Sequence, residues 1–531
     1  MNKQVYLQSV LEQMPRLLGL LDRNPLSQTY GCFDRQYWHY HVADFPSARH
    51  QEAALTLALL YQLQHKKNPY FQNRLLLKWI EAALHFWKKI QRKDGSFDEW
   101  YPYEHSYVAT AFSMYAISEV LLLLPQLQTP QLLQAIRRAA DVLLQQKETR
   151  VQNQMTGAAV ALYNAYLLTE NEKYRKASFK ILQELSALQS EEGWFREYGG
   201  VDIGYLSLAI DYLMKLYDKS KDMRPLAMAV SATRFLYQCV HPDGTFGGDY
   251  GSRNTEYIIP SGIEMLATQE AETIATLLRK SISTQTTITP ASLDDRYLAY
   301  ITYTYLQAYQ HAREKLRCKL PEENQYYPYA GFVILRKPFF LLANLKKGGA
   351  FRAIFKDHAV YDAGIQVQTR KRRLFSGYMQ DSQLSIAGNI LKTQGYLQEI
   401  KDTKMSPFKM AGSRIFQMTF GRFSLCSKAI KNILRSFLIS GRKISEIKYM
   451  REINAEKELT IIDIIYNVPA CRIILNTKAS YNPVPSSKYF QPQELNTFPI
   501  EVITNKRATV QITRVYGPDG KLKQAPQVAL F

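Results

Sequence analysis

One short pattern recurs along the first half of this 531-residue chain and constrains its fold more than any other feature. An acidic residue, a glycine, a variable residue and an aromatic follow one another at Asp94-Gly95-Ser96-Phe97, Glu192-Gly193-Trp194-Phe195 and Asp243-Gly244-Thr245-Phe246. Gly193 and Gly244 lie 51 residues apart, and Gly95 and Gly193 lie 98 apart, close to twice that. Such a period fits one helical hairpin per repeat. A glycine turn at one phase of every repeat gathers the turns at one end of the stack.

The stretches between the turns read as helices. From about residue 48 to 315 the apolar residues keep the helical period. Val108, Ala111, Phe112, Tyr115 and Ala116 form one stripe, which Pro125 stops. The next helix opens with Thr129 as its cap and Pro130 at its first position. Its stripe is Leu132, Ala135, Ile136, Ala139, Ala140 and Leu143. After about residue 316 the character changes. A polar connector, Cys318 to Tyr327, leads to β-rich runs at Gly331–Leu335, Phe339–Leu345, Ala350–Phe355, Leu459–Val468, Cys471–Leu475 and Ile500–Val515. The expected fold class is α+β multidomain: an N-terminal (α/α) toroid or incomplete barrel over 1–315, a linker over 316–327, and a C-terminal antiparallel β-sandwich over 328–531.

Charge narrows the partners. The net charge of +20 attracts polyanions, whether nucleic acid, anionic lipid or acidic polysaccharide. No nucleic-acid-binding motif is present, so no specific nucleic acid is expected. The 36 tyrosines suit a sugar cleft, where a ring packs on a pyranose and a phenol moves protons. The five cysteines (Cys32, Cys239, Cys318, Cys426, Cys471) are scattered without a CxxC pair, which argues against a disulfide framework or a zinc site. No metal or other cofactor is expected. The N-terminus lacks the continuous apolar core of a signal peptide, and no apolar run is long enough to span a bilayer, so a cytoplasmic location is expected. Two segments are strongly basic: Arg370-Lys371-Arg372-Arg373, and 428–451 with Lys428, Lys431, Arg435, Arg442, Lys443, Lys448 and Arg451. Both read as solvated faces, and the second leaves a peripheral membrane contact open.

Four stretches, in this order, carry a resemblance: Asn153 to Ala159, Glu192 to Tyr205, Gly251-Ser252-Arg253-Asn254-Thr255, and Ala330 to Arg336 leading to Asp362-Ala363-Gly364. Together they resemble the heparinase II/III group of polysaccharide lyases, which join an α/α toroid to a β-sandwich. The resemblance implies a carbon–oxygen lyase that cleaves a uronate-containing polysaccharide by β-elimination. It implies that Asn153 holds the uronate carboxylate and that Tyr205, 52 residues on, handles the proton. The residue types suit that chemistry. The C5 proton of a uronate is acidic only when the adjacent carboxylate is neutralised. A phenol at the ring face removes that proton or returns one to the leaving oxygen. One departure stands out. The family carries a His-containing loop early in the sandwich, and the equivalent region here, Leu345 to Arg352, has none; His358 lies past it. Either another residue takes that role or the activity has changed or been lost.

His105 is the candidate replacement, close after the Asp94-Gly95 turn and beside Trp100, Tyr103 and Glu104. Arg253 and Glu256 suit carboxylate binding and the orientation of a base. His39 and His41, two apart in an aromatic stretch, would share one side of an extended segment over the opening. With Arg49, Trp100, Tyr103, Trp194, Tyr250 and Glu256 they form the expected substrate-binding set. Asn153, Tyr205, His105 and Arg253 form the expected catalytic set, lining one pocket. Competing readings are a uronyl C5-epimerase using the same carbanion, a non-catalytic polysaccharide-binding or assembly protein, and a hydrolase built on Asp98, Glu99 and Glu104.

Overall fold

A computed structural model describes residues 2–146, 148, 151–356, 358–377, 382–400, 406–423, 444–476, 489–491, 494–495 and 498–531. Among these residues the first half is built of helices of two kinds. Inner helices Ala53–Gln62, Tyr107–Leu123, Gln152–Thr169, Ile203–Ser220, Ser261–Met265 and Asp295–His311 touch one another in that order. The last also touches the first, so the ring closes. Behind them pack the outer helices Arg74–Lys89, Pro130–Gln145, Glu172–Leu188, Met223–Gln238 and Gln269–Ser283. The outer partner of Asp295–His311 is Gln4–Leu11, ahead of the stretch in which a helical pattern was expected.

The two kinds differ as their surroundings dictate. Pro130–Gln145 buries its expected stripe and keeps its other face wet; Thr129 accepts the Leu132 N–H as its cap, with Pro130 at the first position. Tyr107–Leu123 corrects the expectation of a single stripe. It is buried nearly all round, because an inner helix has neighbours on every side, and Val108 is the stripe residue left half-buried.

The glycine turns fix the repeat. Gly95, Gly193 and Gly244 have φ of 94°, 95° and 79°, where a β-carbon is strained. Each also abuts an outer helix. A β-carbon would lie 2.5 Å from the Arg138 carbonyl oxygen at Gly95 and 2.5 Å from that of Ser231 at Gly193. Gly31, in Tyr30-Gly31-Cys32-Phe33, is a further turn of the same kind (φ 90°), pressed against Ala82 and lacking the acidic residue. Four residues ahead of two of the turns, a glutamine ties turn to helix. The Gln91 amide donates to the carbonyls of Gly95 and Ala135, and the Gln189 amide to those of Gly193 and Met228.

The second half packs two antiparallel sheets. Strands Gln325–Tyr327, Phe332–Leu335, Phe340–Asn344, Ala350–Ile354 and Ala359–Asp362 form the first in chain order. Alternation sorts its side chains: Phe332, Ile334, Phe340 and Leu342 join the toroid core, while Val333, Leu335, Leu341 and Ala343 meet Leu391, Ile453, Leu459 and Ile461 of the second sheet. The first sheet is thus a buried middle layer. Long strands Ile390–Ile400, Ile444–Asn454, Leu459–Val468 and Ala508–Tyr516 form the centre of the second. The run expected over Ile500–Val515 is two strands, Ile500–Thr504 and Ala508–Tyr516. The toroid's last helix ends at His311, and the first strand starts at Gln325, inside the segment read as a linker.

Among the described residues, four charges lie wholly buried in the sandwich. Arg451 bonds Asp463 (2.6 Å) and Asp362 (3.0 Å), and Arg514 bonds the same two carboxylates at 2.6 Å each. This corrects the reading of Arg451 as part of a basic surface. Within 428–451, residues 428–443 lie outside the described residues, and Lys448 is exposed on its strand. No helix among the described residues is long and apolar enough to cross a membrane.

Candidate active site

The loops that lead into the inner helices meet at one end of the toroid. Ala48 N–H bonds the Asp98 carbonyl, Arg296 reaches Ser47 and the Glu99 carbonyl, Val151 bridges Glu197, and Ser252 N–H bonds the Val201 carbonyl. The helix starts converge there, with the positive ends of their dipoles, an arrangement that favours an anionic ligand.

Asn153 is the second residue of its helix and is almost completely buried. It is not the cap, a place taken by Val151 without a side-chain bond. Its side-chain amide and its backbone N–H both donate to Oε1 of Glu197. Oε2 of Glu197 is buried with no hydrogen-bond partner. Burial raises the Glu197 carboxyl to about 8 although the Asn153 bonds pull it down, so at neutral pH it is mostly protonated. Asp202 stands beside it and caps the next inner helix. One oxygen accepts the Tyr205 N–H (3.1 Å), and the other accepts the N–H groups of Arg253 and Thr255 (3.1 Å each). Burial raises Asp202 as well, against those bonds. The Arg253 guanidinium lies 3.9 Å over the Tyr198 ring, and its Nε is buried without a hydrogen bond. Tyr205, in the first turn after Asp202, is half-buried. The structure therefore links Asn153, Arg253 and Tyr205 through Glu197 and Asp202, two carboxyl groups that had not been singled out.

His105 sits elsewhere on the same end. With Tyr103, Arg92, Asp94 and Arg422 it lines a cavity of about 810 Å³ that does not include Asn153, Tyr205 or Arg253. This corrects the expectation of one shared pocket. His105 Nδ1 faces Asp94 (2.6 Å) and Ser96 (2.9 Å), while Nε2 is buried without a partner. Burial would raise Asp94, but its bonds to His105 and Ser96 hold it well below the usual carboxylate range. A second cavity of about 950 Å³ shares Phe45 with the first and is lined by Trp100, His50, Glu99, Arg296 and Tyr40. Trp100 is half exposed and lies under the Arg296 guanidinium (3.9 Å).

Several expected ligand contacts serve the fold instead. Arg49 is buried between the rings of Phe112 (4.7 Å) and Tyr300 (4.1 Å), paired with Glu52 and facing Glu99. Burial raises Glu52 to about 7, with Arg49 opposing. The Trp194 ring is buried and its N–H is given to Glu192 (2.7 Å). Tyr250 is fully buried against His241 (2.9 Å). Glu256 is buried too. His39 and His41 are exposed and not extended: the short helix Arg35–Trp38 runs into them, and His41 has a φ of 53°. Neither lines the two cavities. Asp98 and Glu104 accept backbone N–H groups of their own loop, so they hold that loop rather than form a hydrolytic pair.

The sandwich reaches this end through the loop that lacks a histidine. Lys347 is buried there. Its ammonium donates to the carbonyls of Asp249 (2.5 Å) and Gly251 (2.7 Å) and to Asn254, and Asn344 donates to the Tyr250 carbonyl. The loop is thereby locked to the segment that carries Arg253.

No family model and no curated protein matches this chain. Solved structures are similar to it. The Streptomyces coelicolor A3 chondroitin AC lyase, solved with chondroitin sulphate, superposes with a TM-score of 0.53 at 10% identity, over 89% of this chain and 67% of that one. Heparinase III gives 0.45 at 10% over all of both chains. The cellobiose 2-epimerase of Bacillus thermoamylovorans B4167 gives 0.40 at 10%, over 58% of this chain and 99% of that one. The first of these carries the fold: this chain is an (α/α) toroid joined to an antiparallel β-sandwich, the architecture it shares with that structure.

Proposed function

We propose that the protein is an enzyme acting on an acidic, uronate-containing polysaccharide, and that it is a carbon–oxygen lyase working by β-elimination. The observation that carries this reading is Glu197, a buried and mostly protonated carboxyl held by Asn153 near Arg253. A protonated carboxyl facing a uronate carboxylate shares its proton in a short, charge-assisted hydrogen bond. With the second N–H of the Asn153 amide and the Arg253 guanidinium, it draws charge out of the uronate and acidifies the C5 proton. Tyr205 takes that proton and returns one to the departing oxygen at C4, leaving a double bond between C4 and C5. In this reading the toroid, 1–315, supplies the chemistry. The sandwich, 328–531, joined through 316–327, holds the Arg253 loop by Lys347. The polymer is one made or trimmed in the cytoplasm, a location that the scattered thiols support.

The test is incubation with a panel of acidic polysaccharides in deuterated water, following the near-ultraviolet absorbance of a 4,5-unsaturated uronate and deuterium at C5. The expected result is growing absorbance that Tyr205→Phe lowers by at least about 10²-fold without unfolding the protein. The rate should fall as pH rises through about 8, where Glu197 ionises. Deuterium at C5 without a double bond would replace the lyase by a C5-epimerase. Binding without either signal would leave a binding or assembly protein.

A further inference from the structure

Between the second-sheet strands Ile390–Ile400 and Ile444–Asn454 the chain leaves the sandwich and forms the helix Pro407–Met418. The helix is tied to the toroid by Arg414, whose guanidinium bonds Asp44 at 2.7 Å. The side toward the protein is mixed: Gln417 is buried, and Ser413, Arg414 and Phe416 are half-buried. The side toward water carries Phe408, Ala411, Ile415 and Met418, at helical spacing. Phe408 is 90% exposed, Ile415 66% and Met418 59%. The turn that follows adds exposed Phe420 and Phe423. An apolar face of this kind left in water marks a surface that is covered in use.

Charge says what covers it. Every charged residue between Asp402 and Glu446 is basic, including the exposed Lys409 and Arg422 beside the apolar face. A protein partner or a second copy with a mixed surface does not ask for such a bias, and an acidic polysaccharide does not ask for phenylalanines. Aromatic and aliphatic side chains facing outward, with Lys409 and Arg422 exposed beside them, match the boundary between acyl chains and anionic headgroups. We infer that the helix Pro407–Met418 and the turn Phe420–Arg422 form a peripheral docking surface for an anionic lipid membrane. Arg414 lines one of the two cavities and Arg422 and Phe423 line the other, so docking would hold both cavity mouths beside the lipid surface.

The test is co-sedimentation of the full chain with vesicles of phosphatidylcholine alone and of phosphatidylcholine with an equal part of phosphatidylglycerol. The expected result is binding to the anionic vesicles that weakens with salt, and little binding to the neutral ones. Phe408→Ser with Ile415→Ser should lower the partition at least about tenfold, since each side chain loses its burial in the acyl boundary. Both residues face water, so the melting curve of the double variant should match that of the parent. Lys409→Glu should weaken binding to anionic vesicles alone. Equal vesicle binding by the parent and the double variant would overturn the inference. So would a concentration-dependent dimer that the double variant dissolves, without vesicle binding, since that assigns the face to a second copy.

Discussion

Asp362 in the sandwich and Glu197 on the toroid rim are both shut away from water, and burial has opposite outcomes for them. Burial alone would raise Asp362, but Arg451 and Arg514 outweigh it and hold the group at about 2. Glu197 has an amide for its partner, so burial wins and it stands at about 8. In the sandwich each lost hydration shell is replaced by an opposite charge; on the rim it is replaced by a proton. The signs for stability follow. Asp362 is depressed, so its contribution is present above the unfolded value of about 4 and is lost as pH falls through about 2. Glu197 is raised, so between about 4.5 and 8 the folded state holds a proton that the unfolded chain releases, and stability falls as pH rises through that window.

The largest test of this contrast is Arg451→Met, which leaves two buried carboxylates with one arginine. It should cost about 3–5 kcal/mol in urea unfolding at neutral pH, and a loss below about 1 kcal/mol would break the picture of a compensated quartet. Next is Glu197→Gln. The variant should match the parent near pH 4 and exceed it by about 2–4 kcal/mol near pH 9, read as a difference in unfolding midpoints across pH. A difference that does not change with pH would mean that Glu197 ionises normally. Asn153→Ala removes the amide that holds Glu197. It should cost about 1–2 kcal/mol, and the fall in stability with pH should move to higher pH, because the side-chain bond that lowered the carboxyl is gone while the backbone N–H bond remains. The smallest effect belongs to Arg472→Ala. Its paired contact with Glu501 has the shape of those in the quartet but faces water, so the urea midpoint should not move measurably. A clear shift would show that geometry, rather than burial, sets the worth of these pairs.

The quartet also explains what local sequence could not reveal. Strands Leu459–Val468 and Cys471–Leu475 were legible to the residue, because their β-branched runs mark them as strands even though one inward position, Asp463, is a buried charge. Ile444–Asn454 was not. Its inward series is Ile447, Tyr449, Arg451 and Ile453, and an arginine in that series reads as a surface charge unless its partners at 362 and 463 are known. Outer helices announced themselves by their stripe, and inner ones blurred it. The Gly31 turn was missed because Tyr30 stands where the other turns have an acid. On the rim, Asn153 and Tyr205 were singled out through the family resemblance. Glu197 and Asp202 lay inside the same stretch, but nothing near them in sequence tells that one is shut away with an amide and the other gathers three backbone N–H groups. Lys347, in a run that reads as a polar turn, is buried only because the toroid offers it carbonyls. Sandwich and rim are joined through it: Arg451 also donates to the Gly349 carbonyl, two residues along the same loop.

The pairing of Gln4–Leu11 with Asp295–His311 has a consequence for biosynthesis. The helix that leaves the ribosome early finds its partner only when the toroid's last helix has emerged. Until then Ala53–Gln62, apolar on nearly every side, lacks the neighbour that closes the ring. A growing chain must therefore carry an open, sticky arc through most of its translation, and long-range closure of this kind is slow. Cells that make this protein quickly should lose more of it to aggregation than cells that make it slowly. A break anywhere between the two end helices leaves both halves with an unclosed edge.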